Sequence, residues 1–478
     1  MFQENFIKNF VERIYRLTDD KKSVLLRKLS PLSESQERIV STEKNITDLN
    51  NVTLIPLLVN KRISTEKIGQ SLDRIIERHE VLRTCLLEMN GEIRQIVLPE
   101  LKTVLSIEKL VVSDGQEQAG RIRELLSQIE TERFDLFNNP LWRCRVFDLN
   151  PEQNLVVFVF HQTIFDGLSL YIFLNEMLSA RETARLPNLN LHYSDYVGWQ
   201  KRFLSPERLE RVGAEWVEKL SEPHLDAVLP PDKPKPEKSL CRAGEIEASF
   251  SIDETARINK FCSENKLTLP MLGAAALAVS LMFKTNVGQT TLGIPVAGRT
   301  LPETERLIGS FVNIAPLRVK PGDNPTVGDL LRSVKEEMLF LQENQEFPFR
   351  RLLELLYPNR ELSNYGAVNE QPLLRIFLDY KGRTPIRDAA DDAADFALFD
   401  AVEKKTGSDI YLKLWENENI FCGFLYNAEI FEESTIRDFI ELFKRTLLGL
   451  SRRPQAGLWE LNPLSDKKAS FENETAGG

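Results

Sequence analysis

The sequence predicts an α/β protein built from two similar lobes around a cleft. Each half repeats the same rhythm, with strands that alternate apolar and polar residues and helices whose apolar residues recur near every 3.6 positions. PLWRCRVFDLN (140–150) is typical of a half-buried strand, and ISTEKIGQSLDRIIERHE (63–80) of an amphipathic helix. A run of prolines in residues 223–236 separates the halves. The length of 478 residues allows about two to four domain-sized units.

The predicted organisation has five segments. A helical lead-in (1–29) is indicated by the apolar spacing of LTDDKKSVLLRKL, and an N-terminal lobe (30–200) follows. A Pro-rich linker region (201–243) comes before a C-terminal lobe (244–462), and residues 463–478 are expected to be a linker to a possible downstream domain. Further helices are predicted at 168–178, 205–220, 270–283, 326–345 and 434–450, strands at 93–99, 154–160, 244–252, 290–298 and 313–320, and a solvated loop at 387–400.

Composition excludes several classes of function. The net charge is −10 and the pI is near 5.3, and the chain has no basic stripe to contact phosphates, so we expect no nucleic-acid partner. The five cysteines form no CxxC pair and the four histidines are dispersed, so we expect neither a metal nor a cofactor bound by the domain itself. The longest apolar stretch, MLGAAALAVSLMF (271–283), is shorter than the roughly 20 residues of a membrane span, which favours a cytoplasmic protein without membrane contact.

The segment HQTIFDG (161–167) is the candidate site. It follows the apolar run NLVVFVF (154–160), so a strand would carry His161 to the edge of a cleft. Gly167 would allow a tight turn with backbone angles that other residues resist, and Asp166 could bend back toward the strand end. These residues fit a histidine-centred acyl-transfer site. They also fit a buried histidine followed by an Asp that caps a helix, and on these seven residues alone that is the favoured interpretation.

Seven further segments have the form and order of known motifs. With HQTIFDG they are LSPLSESQERI (29–39), RHEVLRT (78–84), SDYVGWQ (194–200), IPVAGRT (294–300), IGSFVNIAPLR (308–318), QEFPFRRLLELL (345–356) and YNAEIFEESTI (426–436). Any one of them is a weak signal, but eight in the right order are specific. Through nearly all of its length the chain resembles the condensation domains of nonribosomal peptide synthetases, whose central motif is HHxxxDG. The closing LNPLSDKKASFENET resembles the linker to an adenylation domain.

The resemblance implies a fold and a set of partners. The expected fold is two chloramphenicol-acetyltransferase-like lobes in a V-shaped pseudo-dimer with a central tunnel. Upstream and downstream carrier proteins would dock at opposite mouths, each inserting a phosphopantetheine arm that carries a substrate. The domain itself is expected to be monomeric, with an adenylation domain beside it, in the biosynthesis of a secondary metabolite.

The resemblance also implies residue roles. Asp166 would be structural and would pair with Arg299 of the second lobe, while Gly167 would hold the turn. Arg83 and Asn313 would support the fold near the tunnel. His161 corresponds to the supporting first His of the motif. The second His, the candidate base or positioning group, is replaced by Gln162.

This replacement leaves three functions open. A carboxamide donates and accepts hydrogen bonds but cannot take a proton near neutral pH as an imidazole can. The first hypothesis is an amide-forming acyltransferase in which Gln162 acts by positioning, because a thioester is already activated and a free amine can attack it. The second is a domain without chemistry that serves as a docking platform or gate for a carrier protein or tailoring enzyme. The third is ester formation or modification of the carrier-bound residue; an engineered His-to-Gln change would restore the first.

Overall fold

The computed structural model describes eleven helices and thirteen strands. The described residues are 29–45, 51–103, 105, 107–110, 116–137, 139–179, 187–221, 226–236, 242–358, 373–383, 396–398 and 406–463. The helices are α1 (Glu34–Asn45), α2 (Thr65–Arg78), α3 (Gln116–Thr131), α4 (Gly167–Ser179), α5 (Tyr193–Phe203), α6 (Pro206–Leu220), α7 (Ile252–Glu264), α8 (Leu269–Thr285), α9 (Val327–Glu343), α10 (Phe349–Leu356) and α11 (Glu433–Arg452). The strands are β1 (Val52–Asn60), β2 (Thr84–Met89), β3 (Glu92–Val97), β4 (Ile107–Lys109), β5 (Trp142–Asp148), β6 (Gln153–His161), β7 (Ala243–Ser249), β8 (Thr290–Val296), β9 (Asn313–Val319), β10 (Ile376–Arg383), β11 (Phe396–Leu398), β12 (Ile410–Glu416) and β13 (Ile420–Asn427).

The chain divides into two compact units. Unit 1 comprises residues 1–209, 297–312 and 385–403, and unit 2 comprises residues 210–296, 313–384 and 404–478. The first border between the two units, at residues 209 and 210, lies inside α6 and within the predicted linker region 201–243, ahead of its prolines. Unit 1 also includes two segments of the predicted C-terminal lobe, so neither unit is one continuous piece of chain.

Unit 1 contains a five-stranded sheet with the order β11-β1-β6-β5-β4. β6 lies at its centre, antiparallel to β1 and β5, and Val52 of β1 is opposite His161. β11 pairs antiparallel with β1, which explains why this late segment belongs to unit 1. The predicted solvated loop at 387–400 is therefore wrong for residues 396–398.

The core of unit 1 forms around β6. Every residue from Asn154 to His161 is buried, as the continuous apolar run indicates for a central strand. Phe160 stacks on Phe165 with ring centroids 4.1 Å apart, and Phe173 of α4 contacts Phe160 edge-on at 5.0 Å. This aromatic packing holds α4 against the end of β6. It therefore fixes the positions of the two ends of the turn that joins them.

Unit 2 contains a six-stranded sheet with the order β7-β13-β12-β10-β8-β9. β10 runs parallel to both β12 and β8, while the remaining pairs are antiparallel. The helix α8 is buried almost all around, from Leu269 to Phe283, as its small and apolar residues predict. Within the described residues no single helix has the length and apolarity of a membrane span, although the bent pair α7 and α8, at 106°, passes that test by length and composition.

Several predictions fall partly or wholly outside the described residues. The helical lead-in lies there up to residue 28, as do residues 464–478 of the predicted C-terminal linker. In the Pro-rich region, residues 226–236 are described, and they belong to unit 2 and bond to its other segments. Ala227 donates its backbone N–H to Gln289, and Asp232 donates to Ile430.

Candidate active site

The candidate site is the turn that leaves β6 at its C-terminal end. Gln162 is exposed, whereas His161 and Thr163 on either side of it are buried. The backbone N–H of Gln162 donates to the carbonyl of Asn51, 2.8 Å away, and Ile164 N–H donates to the carbonyl of His161 at 3.0 Å. These bonds fix the backbone of the turn, and the side chain of Gln162 is exposed to solvent.

His161 is fully buried, and both of its ring nitrogens are occupied. Nδ1 lies 2.8 Å from Thr163 Oγ1 and accepts the Thr163 backbone N–H at 3.3 Å. Nε2 lies 2.9 Å from Glu43 Oε2. Because Nδ1 is an acceptor, the hydrogen-bond network assigns the proton to Nε2, which donates it to the carboxylate. This leaves His161 without a free lone pair, so it cannot serve as a base toward a substrate.

Asp166 caps α4 and binds an arginine with the same carboxylate. Its Oδ1 accepts from the backbone N–H and the hydroxyl of Ser169, at 2.8 and 2.7 Å. Arg299 Nη2 donates to both carboxylate oxygens, at 3.0 and 3.2 Å, and Phe311 N–H donates to Oδ2 at 3.2 Å. The two interpretations of Asp166, a helix cap and a partner of Arg299, therefore both hold in the structure.

Arg299 lies in segment 297–312, the part of the chain between β8 and β9 that belongs to unit 1. It was expected in the second lobe, and that placement is wrong: the ion pair with Asp166 lies inside one unit. Arg299 Nη1 also donates to the carbonyls of Thr304 and Leu307, both at 2.6 Å, and these bonds shape the segment around the guanidinium. The side chains of the pair are only 3% and 4% exposed.

The segment carrying Arg299 depends on a glycine. Gly298 has a φ of +61°, and a Cβ at this position would lie 2.1 Å from the carbonyl oxygen of Phe311. Another residue would be strained and would clash, so Gly298 is what allows the chain to bring Arg299 beside Phe311. The guanidinium carbon then lies 4.0 Å from the centre of the Phe311 ring, a favourable cation–π contact.

The conformational argument for Gly167 is wrong. Gly167 does not have a positive φ; it is the exposed first residue of α4, and a Cβ there would meet nothing within 4 Å. The turn is stabilised instead by the Asp166 carboxylate, which satisfies the free N–H groups at the start of the helix.

The hydrogen bonds described for Arg83 and Asn313 go to other parts of the chain than residues 161–167. Arg83 donates to the carbonyls of Ile76, at 3.1 Å, and of Leu98, so it ties the end of α2 to the segment after β3. Asn313 belongs to unit 2, where Nδ2 donates to the carbonyls of residues 345 and 347 at 2.9 and 2.7 Å. Their predicted role near a tunnel stays a prediction.

Sequence reasoning missed the partners of His161 on α1. Glu43 bonds its ring, and Gln36 Nε2 donates to the carbonyl of Thr163 at 3.0 Å. The available signal was the pattern S-x-x-Q. Ser33 and Gln36 form a reciprocal capping box, which places α1 and gives Gln36 a fixed direction.

A second buried cluster, around His79, was also missed. His79 Nε2 lies 3.0 Å from Glu176 Oε2, and Arg78 Nε donates to the same carboxylate at 2.9 Å. Ile308 N–H donates to His79 Nδ1 at 3.3 Å, which connects α2 and α4 to segment 297–312. Burial lowers the pKa of His79, although Glu176 opposes the shift, and the ring is therefore neutral at pH 7.

Other chemistries find little support among the described residues. They contain no group of three or more His, Cys, Asp and Glu that could hold a metal ion. Burial raises the pKa of the Cys85 and Cys422 thiols to about 12, that of Cys262 to about 11, and that of Cys144 still further. These thiols are therefore protonated at neutral pH and are poor nucleophiles.

Comparison with known proteins identifies one protein family and several relatives that are much longer than this chain. The family model of the Condensation domain matches residues 27–471. A linear gramicidin synthase polypeptide of Brevibacillus parabrevis is 30% identical over 449 residues, which are 92% of this chain and 8% of that protein. Bacitracin synthase 3 of Bacillus licheniformis is 28% identical over 409 residues, 84% of this chain and 6% of that protein. The chain thus spans a small part of the curated relatives it matches.

Solved structures show the same fold. The X-domain in its complex with OxyB from teicoplanin biosynthesis gives a TM-score of 0.78 at 20% identity, covering 91% of this chain and 95% of that one. The condensation domain of monacolin K polyketide synthase gives 0.73 at 19% identity, covering 90% and 99%. The epimerization domain from the third module of tyrocidine synthetase B gives 0.68 at 18% identity, covering 88% and 97%. The predicted chloramphenicol-acetyltransferase-like α/β fold is confirmed; the V shape and the tunnel stay predictions.

Proposed function

The chain belongs to the condensation-domain family of nonribosomal peptide synthetases, and from this premise we propose that it forms an amide bond between two carrier-bound substrates. The donor is an acyl or peptidyl thioester on one phosphopantetheine arm, and the acceptor is an aminoacyl thioester on another. The amine nitrogen attacks the donor carbonyl carbon, a C–N bond forms and the C–S bond breaks. The leaving thiolate takes up the proton that the amine loses, so that no residue need keep it.

The observation that carries this proposal is the state of Gln162. Its backbone is fixed and its side chain is exposed, at the position where the family motif has its second His. A carboxamide held there can accept a hydrogen bond from the amine or donate one to the developing oxyanion. General-base help is typically worth about 10²–10⁴ in rate. Aligning two tethered substrates can supply about 7–11 kcal/mol of the barrier, so the base is not indispensable.

The alternative is a domain without chemistry that serves as a docking platform or gate. The observation in its favour is again Gln162, because a carboxamide cannot take a proton, and His161 has no lone pair with which to replace it. Ester formation or modification of the carrier-bound residue is the third candidate. The structural likeness to an X-domain and to an epimerization domain concerns the fold and does not decide among these functions.

The proposed partners follow from the family. They are an upstream and a downstream carrier protein and an adjacent adenylation domain, while the domain itself is monomeric and binds no cofactor of its own. Support comes from the relatives, which are synthases many times longer than the matched segment.

The experiment uses carrier proteins loaded with a panel of aminoacyl donors and acceptors, with mass spectrometry of the product. Amide product above background from this chain, and its loss in Gln162→Ala, would support the proposal. Gln128→Ala is the matched control, because Gln128 is an exposed glutamine of unit 1 that lies on a different element, the helix α3. Product that survives Gln162→Ala would show that position 162 carries no chemistry.

The same experiment separates the active domain from the platform. A chain that binds loaded carriers but yields no product, and becomes active in Gln162→His, would contradict the proposed activity and favour the platform. An ester or an inverted stereocentre in place of the amide would favour the third candidate.

A further inference from the structure

The helix α1 contacts the turn after β6 at two points. Gln36 and Glu43 are seven residues apart, and seven residues of an α-helix fall about 20° short of two full turns. The two side chains therefore lie on one face of α1, about 10 Å apart along its axis. That face is directed at the end of β6, where Gln36 reaches Thr163 and Glu43 reaches His161.

These contacts hold the two neighbours of Gln162. Glu43 accepts the Nε2 proton of His161 at 2.9 Å, and Gln36 donates to the Thr163 carbonyl at 3.0 Å. Gln36 is fully buried and the Glu43 side chain is only 11% exposed, so both contacts are shielded from water. Hydrogen bonds in such surroundings are stronger than at a surface, and the partners hold one geometry.

The contact with Glu43 also fixes the chemical state of His161. A carboxylate at Nε2 favours the tautomer with the proton on that nitrogen, as a partner of one ring nitrogen does in many histidine sites. Nδ1 is then free to accept from Thr163, which closes the turn on itself. Without Glu43, the ring could rotate or exchange tautomers, and the bond to Thr163 would weaken.

We propose that α1 is a clamp for the turn and that Glu43 and Gln36 are positioning residues for Gln162. They touch neither the reacting atoms nor Gln162 itself, and act by fixing His161 and Thr163 on its two sides. The proposal rests on the proposed function for its catalytic consequence. The mechanical part, that Glu43 holds the turn, is independent of any activity.

The test compares Glu43→Ala with Glu37→Ala. Both remove a carboxylate from α1, but Glu37 is bonded to Lys201 and does not contact the turn. Hydrogen–deuterium exchange of the peptide spanning residues 158–166 measures the hold on the turn, because the Gln162 N–H is bonded to Asn51. We expect exchange there to rise at least about tenfold in Glu43→Ala and to stay at the wild-type rate in Glu37→Ala.

Kinetics give the second readout. We expect Glu43→Ala to lower kcat of condensation by about 10- to 100-fold, with KM for the loaded carriers changed less than about threefold, since alignment and not binding is lost. Glu43→Gln keeps an acceptor for the His161 Nε2 proton and should recover most of both the exchange protection and kcat. It also serves as the test variant if Glu43→Ala does not fold, with Glu43→Asp beside it: the shorter carboxylate should protect less than Glu43→Gln.

Unchanged exchange and unchanged kcat in Glu43→Ala would overturn the clamp, as would an equal effect of Glu37→Ala. If wild-type protein forms no product, the proposed function fails, but the exchange comparison still decides whether α1 holds the turn. If exchange rises while kcat stays at the wild-type value, the clamp exists and its claimed effect on Gln162 is wrong.

Discussion

The two ends of HQTIFDG are held by different kinds of contact. At the far end, Asp166 and Arg299 form a charged pair that is nearly inaccessible to water, and both the carboxylate and the two Nη atoms are hydrogen-bonded to neighbouring groups. At the near end, His161 is held by Thr163 and by the carboxylate of Glu43, whose side chain is 11% exposed. The far end is a structural ion pair, whereas the near end positions the exposed carboxamide of Gln162. We therefore expect mutations at the far end to lower the free energy of unfolding much more than mutations of Gln162.

The largest effect on stability is expected at the far end. Asp166→Ala would leave Arg299 charged and buried without its partner, which typically costs about 3–5 kcal/mol of the free energy of unfolding. Chemical denaturation of the variant measures this loss. Asp253→Ala, at an exposed position in the first turn of α7, should change stability by less than about 0.5 kcal/mol. A soluble Asp166→Ala protein with an unchanged Tm would show that the ion pair at the far end does not contribute more to stability than the near end.

The second largest effect is a dependence of the free energy of unfolding on pH, and it comes from the buried cluster of His79, Glu176 and Arg78. Burial lowers the pKa of His79 in the folded protein below its ordinary 6.5. At a pH between these two pKa values, the unfolded chain therefore binds a proton that the folded chain does not. The stabilisation from the neutral ring is complete above pH 6.5 and is lost as the pH falls below it toward the lowered pKa, by up to about 1.4 kcal/mol per pH unit. Denaturation between pH 5 and 8 measures the slope. His79→Gln should remove this part of it, and an equal slope in both proteins would contradict the assignment.

A smaller effect of opposite sign is expected at Gly167. Because its φ is not positive and its missing Cβ would meet open space, Gly167→Ala should stabilise the protein by about 0.4–1 kcal/mol, through the lower entropy of the unfolded chain. Thermal unfolding checks the sign. A loss of stability would restore the special turn geometry that the sequence suggested.

The smallest effect on stability is expected at the near end. Gln162→Ala removes an exposed side chain and should change the free energy of unfolding by less than about 0.5 kcal/mol, whatever it does to condensation. Chemical denaturation beside the activity assay separates the two quantities. A loss above about 2 kcal/mol would mean that the carboxamide is structural, and the contrast between the two ends would disappear.

The features that could be predicted from the sequence are those that depend on neighbouring residues in the chain. β6 and α8 are determined by their own apolar residues, so the pattern of residues 154–160 and 270–283 predicted them. The pairing of Asp166 with Arg299 followed from family resemblance, since 133 residues separate the partners and no periodicity relates them.

The missed features are all non-local. β11 is a three-residue strand, too short to show a pattern, and pairing with β1 makes it a strand. Glu43 was not singled out from the sequence, because the burial of its carboxylate depends on α1 lying against β6. Gly167 was misjudged for the opposite reason: the motif suggested a strained turn, whereas the Asp166 cap makes an ordinary helix start.

The discontinuous make-up of unit 1 has a consequence for biosynthesis. Its sheet is completed by β11 and its buried ion pair by Arg299, which emerge from the ribosome long after β6. At about 5–20 residues per second, the chain between residues 166 and 398 takes on the order of 10–50 seconds to synthesise. Until residue 398 is made, β1 has one unpaired edge, and until residue 299 is made, Asp166 has no guanidinium beside it. A ribosome stalled within this stretch would therefore display an unfinished unit 1, exposed to chaperones or to aggregation, and a gene cut at the Pro-rich stretch would encode an N-terminal half that lacks both pieces.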